Sequence, residues 1–293
     1  MGHVKSTAIE KGFDVLNYTV LIVLCLSTIY PFMFLLSLSL SPGDVSLTQI
    51  RIIPSKVTFD NYMKVLTNDF IASGFANTMV RTLIGTALTV LVTIFTAYPL
   101  AKKQFPHRGF WTAFIVFTMF FSGGLIPSYF LVKSLGLMNS VWALVLPGLI
   151  HTFQMIIARN FFMSIPESLE ESAKIDGANE IRILFQIVIP LSMPIVATLS
   201  LWTAVGHWNA WFDSMIYISD ADKHVLQVVL RRIVLEGTQD MMDLNAMADE
   251  DLVANPETIK ATTVMVATIP IIMVYPFVQK YFVKGMMIGS LKG

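Results

Sequence analysis

A chain of 293 residues with 55% apolar and 14% charged side chains, and a mean hydropathy of +0.66, is too apolar to be a water-soluble domain of that length. Its 20 basic and 20 acidic residues cancel, so no electrostatic excess favours nucleic acid. The lone cysteine, Cys25, excludes an intrachain disulfide.

Six stretches free of Asp, Glu, Lys and Arg follow one another: Val15 to Gly43, Thr82 to Ala101, Gly109 to Val132, Ser134 to Ala158, Ile183 to Phe212 and Ala261 to Gln279. Each reaches the roughly 20 residues a helix needs to cross a bilayer core of about 30 Å. Because peptide groups in that core must bond within their own segment, runs this long predict helices. A transmembrane barrel would show alternating segments of about 10 residues, which are absent. The expected spans are 14–36, 78–100, 109–131, 140–162, 183–209 and 261–279, in an all-α membrane protein of one domain. The first is too long for a signal-peptide core and lacks a small-residue cleavage pattern, so it reads as a retained span.

With the N-terminus in the cytoplasm, six spans return the C-terminus there. The short basic turn from Lys102 to Arg108 and the tail lysines then obey the positive-inside rule. The outer side receives loops 37–73 and 213–260. The second contains HVLQVVLRRIVLE, where Val225, Val228, Val229 and Ile233 recur at helical spacing, and an acidic run that includes Asp240, Asp243, Asp249, Glu250 and Asp251. A solvated loop on the membrane surface and a docking face for an external protein both fit it.

Within the second span, Arg81 stands at the outer entrance, where a long cation snorkels to the headgroups; attraction of an acidic sugar is the alternative. Gly85, Ala87, Gly123, Gly124 and Gly148 suit close helix packing. Pro127, Pro147, Pro194 and Pro270 are expected to kink or end helices. An ionisable side chain inside a span is a functional candidate, which singles out His151 and His207. Around His207 stand Trp202, Trp208, Asn209 and Trp211. Aromatic faces and an amide can line a carbohydrate route, and an interfacial aromatic belt explains the same residues.

Between spans four and five lies PESLEESAKIDGANEIRILFQIVIP, residues 166 to 190. Pro166 suits a helix start, and Glu167, Glu170 and Glu171 lie near the positive end of its dipole. Glu170 and Lys174 are spaced for a helical ion pair. Gly177 suits a left-handed C-terminal residue, and Asn179 can cap the next helix. Leu169 and Ala173 form a narrow apolar stripe. A short polar helix over 166–176 is therefore expected at the membrane surface.

The order Glu171, Ser172, Ala173, Gly177, Ile187, Ile189, Pro190 resembles the Glu-Ala-Ala signature of inner-membrane subunits of binding-protein-dependent ABC importers. Ser172 and Ile189 replace the usual Ala and Leu. The segments AYPLAKKQFPHRG (97 to 109), GGLIPSYFLVKSLGLMNSVWALVLPG (123 to 148), Trp208-Asn209 and QKYFVKGMMIGSLKG (279 to 293) resemble the carbohydrate branch of those permeases. That branch includes the smaller maltose-importer permease and oligosaccharide or polysaccharide systems of the alginate type.

The resemblance implies a type I ABC importer permease fold of six transmembrane helices with a cytoplasmic coupling helix, in the bacterial inner membrane. It implies a second homologous permease, two ATPase subunits and an extracytoplasmic solute-binding protein as partners. Glu170, Glu171, Ser172, Ala173, Asp176 and Gly177 would contact the ATPase, with the Gly285 to Gly293 tail projecting toward it. The chain contains no G-x-x-x-x-G-K-[ST] loop. ATP and Mg would therefore be used by the partner, with no cofactor, metal or catalytic residue expected in this chain. The alternatives are a permease for a non-sugar solute, a self-contained channel or secondary transporter, and an intramembrane enzyme. The last two lack, respectively, carboxylates within the uncharged stretches and a nucleophile–base or His-Glu-x-x-His setting.

Overall fold

In the computed structural model, residues 8–42, 53–54, 56–235 and 256–290 are described. The acidic run from Asp240 to Asp251 and the last three tail residues lie outside them. Helices are the only regular secondary structure among the described residues, which contain no strand. Contacts divide the chain into one unit of residues 1–68 and 232–266 and a larger unit of 69–231 and 267–293.

In the first unit, helix α1 (Ala8–Ser39) exposes nearly every side chain along its apolar length. Lipid contact suits such a surface, because no water-facing helix keeps apolar residues all round. Only its C-terminal end is buried. There Asn61, from α2 (Asp60–Thr67), donates to the carbonyls of Ser39 and Ser41 at 3.1 and 2.8 Å. These amide bonds satisfy carbonyls that the helix end leaves without partners.

The larger unit is organised around α3 (Asp69–Ala101), an unbroken helix long enough to span a membrane by itself. Its buried positions recur at three and four residues, from Ile71, Gly74, Thr78 and Arg81 to Ala97 and Ala101, so one continuous face is packed. Three of the expected spans, 109–131, 140–162 and 183–209, are bent pairs. Helices α4 (Arg108–Phe120) and α5 (Leu125–Ser134) meet at 112°, and α6 (Val141–Val145), extended by a 3₁₀ turn to Gly148, meets α7 (Thr152–Met163) at 55°. After the polar helix α8 (Glu167–Ile175), the run α9 (Glu180–Ile183) and α10 (Ile189–Leu191) meets α11 (Met193–Asn209) at 83°. Residues 184–188 between α9 and α10 form a π-helical turn. It precedes Pro190, which has no N–H to continue an α-helical ladder.

The breaks have local causes. Gly124 takes φ +82°, and a Cβ there would meet nothing within 4 Å. It turns the chain between α4 and α5; close packing, which the sequence suggests, does not explain it. The same correction holds for Gly148, whose surroundings are open. Gly85 does behave as a packing glycine: a Cβ there would overlap the His207 ring, whose Cδ2 would lie 2.7 Å away. Gly74, which the sequence does not single out, packs closely against the Leu226 backbone. Helices α12 (Phe212–Tyr217) and α13 (Leu226–Leu235) follow, and the expected apolar face of α13 is buried at Val225, Val228, Val229 and Ile233. The last helix, α14 (Pro256–Ser290), runs through Pro270 and Pro276.

Candidate functional site

Helix α8 stands where the sequence anticipates it, and its ends are built by local rules. Pro166 precedes the first turn, which contains Glu167 and Glu170. At the other end Gly177 takes φ +79°. The N–H groups of Gly177 and Ala178 donate to the carbonyls of Lys174 and Ala173 at 3.0 and 2.9 Å, closing a Schellman motif. Asn179 Oδ1 accepts from Arg182 N at 2.8 Å and caps α9.

The ion pairs differ from the expected one. Glu170 pairs with Lys102, just beyond the end of α3, and its side chain is 13% exposed. Lys174 pairs with Glu180 at 2.7 Å, and Lys103 with Glu167 at 2.9 Å. The i,i+4 pair between Glu170 and Lys174 does not form, because each finds its partner on another element. Glu180 also accepts from the Tyr98 hydroxyl at 2.8 Å, and Lys102 Nζ sits 4.3 Å above the Tyr98 ring. The Lys103 hydrogen bond and charge hold the Glu167 carboxyl below the usual carboxylate range. Burial lowers the Lys102 ammonium, with Glu180 opposing the shift.

Of the six residues expected to contact another protein, Glu171, Ser172, Asp176 and Gly177 are exposed. Glu170 turns toward Lys102, and Ala173 packs on a core that includes Ala97, Ala101, Phe162 and Ile183. Ile175, 86% exposed on the same helix, is not singled out by the sequence. Neither are Tyr98, Lys102 and Glu180 as its supports; the only sequence trace is a lysine pair at the end of an apolar run.

The residues expected to line a carbohydrate route differ widely in exposure. His151 is exposed at the α6–α7 break, and Trp202 is 43% exposed on α11. His207 is buried against Gly85, and its Nε2 has no hydrogen-bond partner among the described residues. Trp208 is buried too, edge-on to Phe75, with its Nε1 donating to Ala267 O at 2.9 Å. Asn209 is exposed and its amide bonds Val205 O of its own helix at 2.9 Å. Trp211 lies under the Arg231 guanidinium at 4.2 Å.

Arg81 does not snorkel. It is 2% exposed, pairs with Asp213, and donates to Ala210 O at 3.2 Å and Leu144 O at 3.4 Å. Those carbonyls belong to the α11–α12 break and the end of α6, where helix endings leave acceptors free. A cavity of about 260 Å³ nearby is lined by Asn77, Asn139, Ser140 and Lys223. There Asp220 takes both Lys223, at 2.7 Å, and the Asn139 amide, and these bonds lower its carboxyl.

The broken spans and the polar helix between two of them belong to the type I fold of ABC importer permeases, the class to which the chain's family and its solved structural match assign it. The chain belongs to the family of binding-protein-dependent transport system inner membrane components, which matches residues 70–288. It is therefore a multi-pass inner-membrane protein. It is 41% identical to a polygalacturonan/rhamnogalacturonan transport system permease protein of Bacillus subtilis (strain 168), over 97% of this chain and 99% of that one. It is 40% identical to Protein LplC of the same organism, over 98% and 97%. Its fold matches, with a TM-score of 0.86 and 31% identity over 94% of this chain and 99% of the other, a chain in the crystal structure of a bacterial ABC transporter involved in the import of the acidic polysaccharide alginate.

Proposed function

We propose that this chain pairs with a second permease to form the route for an oligosaccharide or polysaccharide, supplied by an external solute-binding protein and driven by two cytoplasmic ATPases. In this reading α8 faces the cytoplasm and docks on an ATPase through its exposed side, Glu171, Ser172, Ile175, Asp176 and Gly177. The observation that carries the reading is α8 itself. Exposed apolar surface on the spans is accounted for by lipid, but Ile175 lies on a charged helix outside them. An exposed isoleucine ringed by charges suits a protein partner. Glu170 and Ala173 support the docking helix from behind.

The saccharide class rests on the similar proteins, one concerned with polygalacturonan/rhamnogalacturonan and one with alginate. Arg81 is not available to attract an acidic sugar, since Asp213 neutralises it. The test is ATP hydrolysis by the reconstituted complex with binding protein, measured against a panel of uronate and neutral oligosaccharides. Stimulation by a saccharide supports the reading; stimulation by none of them, alongside uptake of another solute class, removes the saccharide assignment.

A further inference from the structure

Helix α8 is joined covalently to α7 and α9, yet its side chains reach α3. Both glutamates of its first turn hold lysines just beyond the α3 terminus, Glu170 on Lys102 and Glu167 on Lys103. Its last turn is held through Lys174 to Glu180, which takes the hydroxyl of Tyr98 on the final turn of α3. Arg159 of α7 donates to Leu100 O at 3.0 Å in the same place. Two points of attachment fix both the position and the tilt of α8 against α3. In its N-terminal half α3 holds Arg81, whose guanidinium binds Leu144 O, Ala210 O and Asp213 at the broken ends of α6, α11 and α12. Between these two sets of bonds α3 has no break, whereas its neighbours α4–α5, α6–α7 and α9–α11 are all bent pairs. An unbroken helix carries a displacement along its length; a pair joined at a bend dissipates it by flexing.

We propose that α3 is the rod that carries motion of α8 to the breaks at the far end of the spans, with Tyr98 and Lys102 as the positioning residues of its inner clasp and Arg81 as its outer one. This rests on α8 being the ATPase-docking helix. In this role the clasp residues decide whether movement of α8 reaches Ala210.

The experiment uses the whole complex, purified from its native membrane through a tag on this chain, with Cys25→Ser and Asn209→Cys as a reporter beside Ala210. Maleimide labelling of that reporter is timed with and without MgATP plus vanadate. In the parent, nucleotide is expected to change the labelling rate by about tenfold, within the usual range of allosteric coupling. In Lys102→Met and in Tyr98→Phe the ATPase subunit stays bound but the change falls below about twofold. Lys102→Glu combined with Glu170→Lys restores the response, and Lys102→Arg retains it. A parent-like response in Lys102→Met and Tyr98→Phe, loss of the ATPase from either, or no restoration by the swap overturns the inference. So does a parent that binds the ATPase but ignores nucleotide. If no ATPase accompanies the parent chain, the docking reading fails first, and this inference with it.

Discussion

Arg81 and Asp213 stand 132 positions apart in the chain, and their pairing decides what a charge in this protein is for. An ion pair removed from water is hard to break, because deleting one partner strands the other. Asp213→Ala is expected to destabilise the chain by about 3 kcal/mol, at the low end of the buried-pair range because Asp213 is 29% exposed. Asp213→Asn, which keeps an acceptor, is expected to lose less; thermal unfolding in detergent compares the two. Gly85 gives a second test. An alanine there collides with the His207 imidazole, an overpacking worth roughly 1–3 kcal/mol, and His207→Ala in the same chain should recover most of the loss. From the sequence, Arg81 and His207 are recognisable as unusual residues in apolar surroundings. Their partners are not, since nothing local links position 81 to 213 or 85 to 207.

Helix α8 is readable at its ends because caps are local. Gly177 acts through backbone bonds and Asn179 through its side-chain oxygen, each to residues within a few positions and in the role its spacing suggests, while Pro166 stands just before the helix and not in its first turn. Its middle is not readable. A helical Glu170–Lys174 pair is worth only about 0.3–0.5 kcal/mol, so a partly buried Lys102 at the end of α3 outcompetes it. The bent spans are legible only through their prolines, because an apolar run is equally apolar on both sides of a turn. Pro127, Pro147 and Pro194, expected to kink or end helices, stand beside the breaks at Gly124, His151 and Ser192, whereas Pro270 lies inside the continuous helix α14. The exposed pair of Glu167 and Lys103 makes a pH-dependent prediction. The folded carboxyl titrates below its unfolded value, so its contribution is complete above the unfolded value, about 4.3, and fades as pH falls through the folded one. Stability measured from pH 6 down to about pH 3 should therefore fall less steeply in Glu167→Gln than in the parent.

For the molecule as a whole, the membrane class follows from composition and from six uncharged stretches alone, because crossing a bilayer constrains length and polarity so strongly. The transport role needs the spaced residues from Glu171 to Pro190, and the family match over residues 70–288 agrees with it. What the chain does mechanically depends on which way α8 faces and on what it meets. The most direct measurement combines Cys25→Ser with Ser172→Cys, so that α8 carries the single thiol, and probes it in right-side-out cells and then in isolated complex. The account predicts that this thiol is untouched by a membrane-impermeant maleimide added outside, reacts once the membrane is opened, and crosslinks to the ATPase subunit in the complex. Labelling from outside, or a complex in which the α8 thiol never crosslinks to the ATPase, would contradict it.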